Sequence, residues 1–120
     1  MFRKRILIVD DDHSVLQLYR TALAFAGFMV DTADNGLVAL QSIEAERPHL
    51  VVLDLDLPMV DGRSVLEELM ANRTTSTIPV VVVTGTDCPR AIPRAAATLR
   101  KPCDPEALLT AIERHIGYAD

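Results

Sequence analysis

LVVLDLDLPMVDG, residues 50–62, opens as an uninterrupted apolar run and breaks at Asp54 into turn residues. A short apolar run of this kind reads as a strand buried on both faces. Asp56, Pro58, Asp61 and Gly62 bar its continuation, because proline lacks an N–H and aspartate and glycine favour turns. Asp54 is thereby delivered to the C-terminal rim of a sheet, the edge at which open α/β folds bind ligands.

Other strands repeat the device. Residues 5–9 (RILIV) run directly into Asp10, Asp11 and Asp12, and residues 79–83 (PVVVV) run into Thr84 and Gly85. A weaker strand at 98–100 ends at Lys101-Pro102, and residues 28–32 form a strand followed by the Asn35-Gly36 turn. Helical spacing fills the intervals. Val15, Leu18, Tyr19, Ala22, Leu23 and Ala26 mark a helix over 13–26, with Asp12 as N-cap and Gly27 as its stop. Leu37, Leu40 and Ile43 share one side of a helix over 37–46, and Val65, Leu66, Leu69 and Met70 define another over 63–71. Asp104 caps a last helix that starts with Pro105 and reaches 116, with Leu108, Leu109, Ile112 and Ile116 on its apolar face. Between 86 and 97, Pro89 and Pro93 prevent a long regular helix.

Strands alternating with helices imply a mostly parallel sheet covered on both faces. Right-handed crossovers bring the strand C-termini to one edge, where Asp10, Asp11, Asp54, Thr84 and Lys101 should converge. Clustered carboxylates repel one another unless a cation enters, and an all-oxygen set without histidine or cysteine favours a hard ion such as Mg²⁺. A carboxylate beside Mg²⁺, with a lysine and a hydroxyl nearby, is an arrangement that can accept a phosphoryl group.

With 120 residues, 49% of them hydrophobic, the chain is expected to form one domain with one buried core. The formal charge of −5 argues against direct nucleic-acid binding, and no run approaches a membrane span. A cytoplasmic location is expected, with Cys88 and Cys103 as free thiols or, less simply, a reversible disulfide. His13, His49 and His115 have no spacing that suggests a metal site or catalytic dyad.

Four segments, ILIVDDD (6–12), LDLDLPMVDG (53–62), VVVVTG (80–85) and Lys101-Pro102, together resemble the receiver domain of two-component response regulators. The resemblance covers essentially the whole chain. It implies a flavodoxin-like (βα)5 three-layer sandwich over 1–120, with a parallel five-stranded sheet of order 2-1-3-4-5. It further implies that Asp54 is the phosphoacceptor, that Asp11 binds Mg²⁺ directly, and that Asp10 holds the water shell of the metal. The Asp56 carbonyl would be another ligand, Thr84 would bind a phosphoryl oxygen, and Lys101 would pair with Asp54. The phosphoryl donor would be a sensor histidine kinase or a histidine phosphotransfer protein. Such a chain is a signalling domain with Mg²⁺-dependent autophosphorylation and autodephosphorylation, rather than a metabolic enzyme.

Two departures bear on switching. Receivers usually carry an aromatic residue where this chain has Thr98, and the run from Thr84 to Lys101 is short, so the fourth helix should be shortened or irregular. A phosphorylation-independent interaction module is therefore one alternative. An aspartyl-phosphate phosphatase using Asp54 and Asp56 is another, since the two form a D-x-D pair. Asp12 reads either as a helix cap or as part of the metal site, and Asp56 either as a turn residue or as a side chain near the phosphoryl group.

Overall fold

Five parallel strands organise the chain in the order β2-β1-β3-β4-β5. They are β1 (Arg5–Val9), β2 (Met29–Ala33), β3 (Leu50–Leu53), β4 (Val80–Thr84) and β5 (Ala97–Arg100). The helices are α1 (His13–Phe25), α2 (Gly36–Ala45), α3 (Gly62–Ala71) and α4 (Pro105–Ile116). This computed structural model describes residues 2–85 and 92–120. Pro89 and Cys88, and half of the stretch over 86–97 expected to hold a shortened fourth helix, lie outside the described residues; within those described, no helix separates β4 from β5. No helix among the described residues is long and apolar enough to cross a membrane.

The three central strands are the continuous apolar runs, as a sheet buried on both faces requires. Successive side chains alternate between two cores. Leu7, Val9, Val51, Leu53, Val80 and Val82 pack with Ala39 and Ile43 of α2 and Val65, Leu66 and Leu69 of α3. Ile6, Ile8, Leu50, Val52, Val81 and Val83 pack with Leu16, Tyr19 and Leu23 of α1 and Leu108 and Ile112 of α4. The registers Val9↔Leu53 and Thr84↔Arg100 set the strand ends side by side, so the residues that follow them meet at one rim.

Several sequence expectations shift by one residue. Strands β2 and β4 start and end one residue later than expected, β5 starts at Ala97, α1 ends at Phe25, α2 starts at Gly36 and α3 at Gly62. Two helix faces are corrected. In α1 the buried stripe is Leu16, Tyr19 and Leu23, while Leu18 is 52% exposed. Leu18 is turned roughly 200° from Leu16 and cannot share its face. In α2 the buried stripe is Gly36, Ala39 and Ile43, and Leu37 is exposed.

The small residues on α2 have a cause. The loop after β3 lies directly over the start of α2, and a Cβ at Gly36 would overlap the backbone carbonyl of Val60. Substitution Gly36→Ala should therefore lower unfolding free energy by about 2–4 kcal/mol in urea denaturation, because backbone must move to admit one methyl. A loss below about 0.5 kcal/mol would show that the loop gives way freely.

Candidate functional site

Asp10 and Asp54 are the residues immediately following β1 and β3, and both are almost fully buried, at 3% and 5% exposure. Each is held in the same way. One oxygen of Asp10 accepts the backbone N–H of Asp12 at 2.9 Å, and one oxygen of Asp54 accepts that of Asp56 at 3.1 Å. The other oxygen of each faces Lys101, whose ammonium lies 2.6 Å from Asp10 Oδ2 and 3.1 Å from Asp54 Oδ2. The backbone joins the strands behind them, with Asp54 N–H donating to the Val9 carbonyl at 2.9 Å and Lys101 N–H to the Thr84 carbonyl at 3.0 Å.

Asp11 is exposed, yet one of its oxygens lies within 4.8 Å of oxygens from Asp10 and Asp54. Three carboxylates thus gather together, two of them paired with the Lys101 ammonium. Burial pushes the Asp54 carboxyl above the ordinary range, against the Asp56 N–H and Lys101, which favour its charged form; the Asp10 charge pushes it up further. For Lys101, burial works against the charge, but hydrogen bonds to Asp10 and Asp54 outweigh it and hold the ammonium more firmly than usual. The donor set suits a hard cation: all oxygen, excess negative charge, and one open side at Asp11.

The remaining expected residues fall around this centre. Thr84 ends β4 and is buried, at 2% exposure. Asp56 has an exposed side chain and contributes its N–H to Asp54. Thr98 pairs with Val82 across the β4–β5 ladder, and its hydroxyl accepts the Ile92 N–H at 3.3 Å. Asp12 is the α1 cap, accepting from the N–H groups of Ser14 and Val15. His13 pairs with Asp34 at 3.1 Å, His49 Nδ1 accepts the Arg5 N–H at 2.9 Å, and His115 sits in the last turn of α4. Cys103 is a free thiol.

Two residues of structural importance escape sequence reading. Gly62 looks like turn chemistry, but a Cβ there would overlap the Asp54 carbonyl, so glycine lets α3 start against the site. Tyr19 looks like one more residue of an apolar stripe, but its hydroxyl donates to the Cys103 carbonyl at 3.0 Å. Only a polar atom on a buried helix face hints at that role.

A parallel sheet thus gathers buried carboxylates and a lysine into an acidic pocket at its rim. Residues 6–113 match the response regulator receiver domain family, and the chain belongs to it. It is 40% identical over 83 residues to the response regulator MprA of Mycobacterium ulcerans, an alignment covering 69% of this chain and 35% of that protein. It thus matches about a third of the length of that relative. Its fold is similar to a CheY-like receiver domain protein from Methanospirillum hungatei, with a TM-score of 0.83, 32% identity and coverage of 93% and 92% of the two chains. It is also similar to the chemotaxis response regulator CheY4 of Vibrio cholerae, with a TM-score of 0.86, 26% identity and coverage of 93% and 98%.

The raised Asp54 carboxyl has a consequence for stability. Folding penalises its charged form, so the penalty is absent below the ordinary carboxyl value of 3.8 and grows as pH rises through the folded value. In metal-free buffer Asp54→Asn should melt at a higher temperature than the parent at neutral pH, because the variant does not bear the charge that folding penalises. The two melting temperatures should converge as the solution is acidified. A parent at least as stable as the variant at neutral pH would contradict this account.

Proposed function

We propose that Asp54 accepts a phosphoryl group from the phosphohistidine of a sensor histidine kinase or phosphotransfer protein, and that hydrolysis of the resulting acyl phosphate resets the domain. The observation that carries this reading is the Lys101 ammonium, 2.6 Å from Asp10 and 3.1 Å from Asp54, beside a third carboxylate at Asp11. Membership in the receiver family supports it.

A carboxylate oxygen of Asp54 attacks phosphorus. The bond from phosphorus to the imidazole nitrogen of the donor breaks, and its electron pair stays on that nitrogen. Lys101 turns from the Asp54 carboxylate towards the phosphoryl oxygens, where preorganised positive charge is worth most. The Thr84 hydroxyl donates to another of those oxygens. Asp10, Asp11, Asp54 and the Asp56 carbonyl would hold Mg²⁺. When bound, the metal supplies the further positive charge that a phosphoryl group entering a carboxylate cluster requires.

The phosphatase alternative is not favoured, because the Asp54–Asp56 pair follows β3 whereas the phosphatases with a D-x-D pair carry it after their first strand, and the chain belongs to the receiver family. The interaction-module alternative rests on Thr98, where receivers usually carry an aromatic, and the same experiment separates it.

Intact mass after incubation with Mg²⁺ and acetyl phosphate should show a single phosphoryl adduct on the parent and none on Asp54→Ala. No adduct on metal-loaded parent, with a kinase also tried, would favour the interaction module. Metal binding is read independently by melting. Mg²⁺ at a hundredfold excess over its dissociation constant should stabilise the parent by about 2.7 kcal/mol. Asp11→Asn should lose most of that gain, and equal gains in both proteins would remove Asp11 from the ligand set.

A further inference from the structure

The proposed reaction uses Lys101, but nothing in that chemistry explains what keeps the Lys101 loop in place. Strand β5 is the edge strand and only half-buried, and the loop that follows it is anchored to the sheet through the Lys101 N–H on the Thr84 carbonyl. On the opposite side stands Tyr19. Its ring is buried in the core between α1 and the sheet, at 3% exposure, and its hydroxyl reaches across to donate to the Cys103 carbonyl at 3.0 Å.

We propose that Tyr19 is a positioning residue for phosphoryl transfer: its hydroxyl fixes the 101–103 turn against α1, so that the Lys101 ammonium stays centred between Asp10 and Asp54. This rests on the phosphoacceptor reading given above.

The geometry makes the tether effective. Helix α1 starts at His13, with its cap at Asp12, and the Asp12 N–H holds Asp10. One rigid helix therefore carries both the peptide that orients Asp10 and the phenol that holds the Lys101 turn. The two partners of the Asp10–Lys101 pair are referenced to the same element. Burial, acting with the neighbouring Cys103 and Asp10, pushes the phenol up to about 12, so it keeps its proton and remains a donor throughout the working range.

Tyr19→Phe removes the hydroxyl and keeps the ring. With Mg²⁺ and saturating acetyl phosphate, its rate of adduct formation should fall roughly five- to tenfold, the loss of one hydrogen bond that orients a reacting group. Mg²⁺ affinity should be unchanged. In a Lys101→Ala background, Tyr19→Phe should cause no further fall, because its effect passes through Lys101. An unchanged rate in the single variant, or the same fold-loss in both backgrounds, would overturn the proposal.

Hydrogen exchange gives a second reading that needs no phosphorylation. The Lys101 amide should exchange about tenfold faster in Tyr19→Phe, while β1 amides keep their protection. Equal exchange at Lys101, or uniform acceleration everywhere, would overturn the tether. If the parent itself forms no adduct, the phosphoacceptor reading fails, and the exchange measurement still decides the role of Tyr19.

Discussion

The rest of the molecule is arranged about a single ammonium shared by two buried carboxylates. Taking Asp10 and Asp54 out of water would be prohibitive without a partner, and Lys101 answers both of them at hydrogen-bonding distance. The compensation stops short of completeness. Asp11 adds a third carboxylate, and burial still holds the Asp54 carboxyl above its ordinary range. The residual excess of negative charge is what a cation can relieve, so the burial that strains the carboxylates and their suitability for a metal have the same origin.

Holding that arrangement takes backbone as much as side chain. The N–H two residues beyond each buried aspartate fixes one carboxylate oxygen and leaves the other for Lys101. This works only because each strand ends at its aspartate and the chain turns at once. At the Asp10 end the turn leads into a capped helix. At the Asp54 end it runs through a loop pressed so closely on its neighbours that Gly36 and Gly62 have no room for a Cβ. Packing in the two cores fixes the sheet, the sheet fixes the strand ends, and the loops convert those ends into aimed oxygens.

The position of Thr98 gives this receiver a character of its own. Its hydroxyl accepts the Ile92 N–H and so ties down the chain entering β5. A short side chain held by that hydrogen bond has no bulky ring to swing between two packed positions.

The strands, the rim and the convergence of Asp10, Asp11, Asp54, Thr84 and Lys101 were legible because they depend on local patterns: short apolar runs, abrupt breaks at acids, and helical spacing between them; the strand order came from the family resemblance, since pairing between strands is not a local pattern. Asp12 and Asp104 as caps were legible for the same reason, since a cap acts within three residues of itself. Leu18 and Leu37 were misplaced because closely spaced apolar residues, Val15, Leu16, Leu18 and Tyr19 in α1 and Leu37, Val38, Ala39 and Leu40 in α2, offer each helix more than one apolar stripe, and only the neighbouring sheet chooses between them. The burial that raises the Asp54 carboxyl, the backbone overlap that demands Gly62, and the hydroxyl of Tyr19 on the Cys103 carbonyl all join residues distant in sequence or crowded from outside their own element. The sequence by itself determined which groups reach the rim. Tertiary structure decided their distances, their charge balance and what holds them still, because those are set by the simultaneous packing of separate segments.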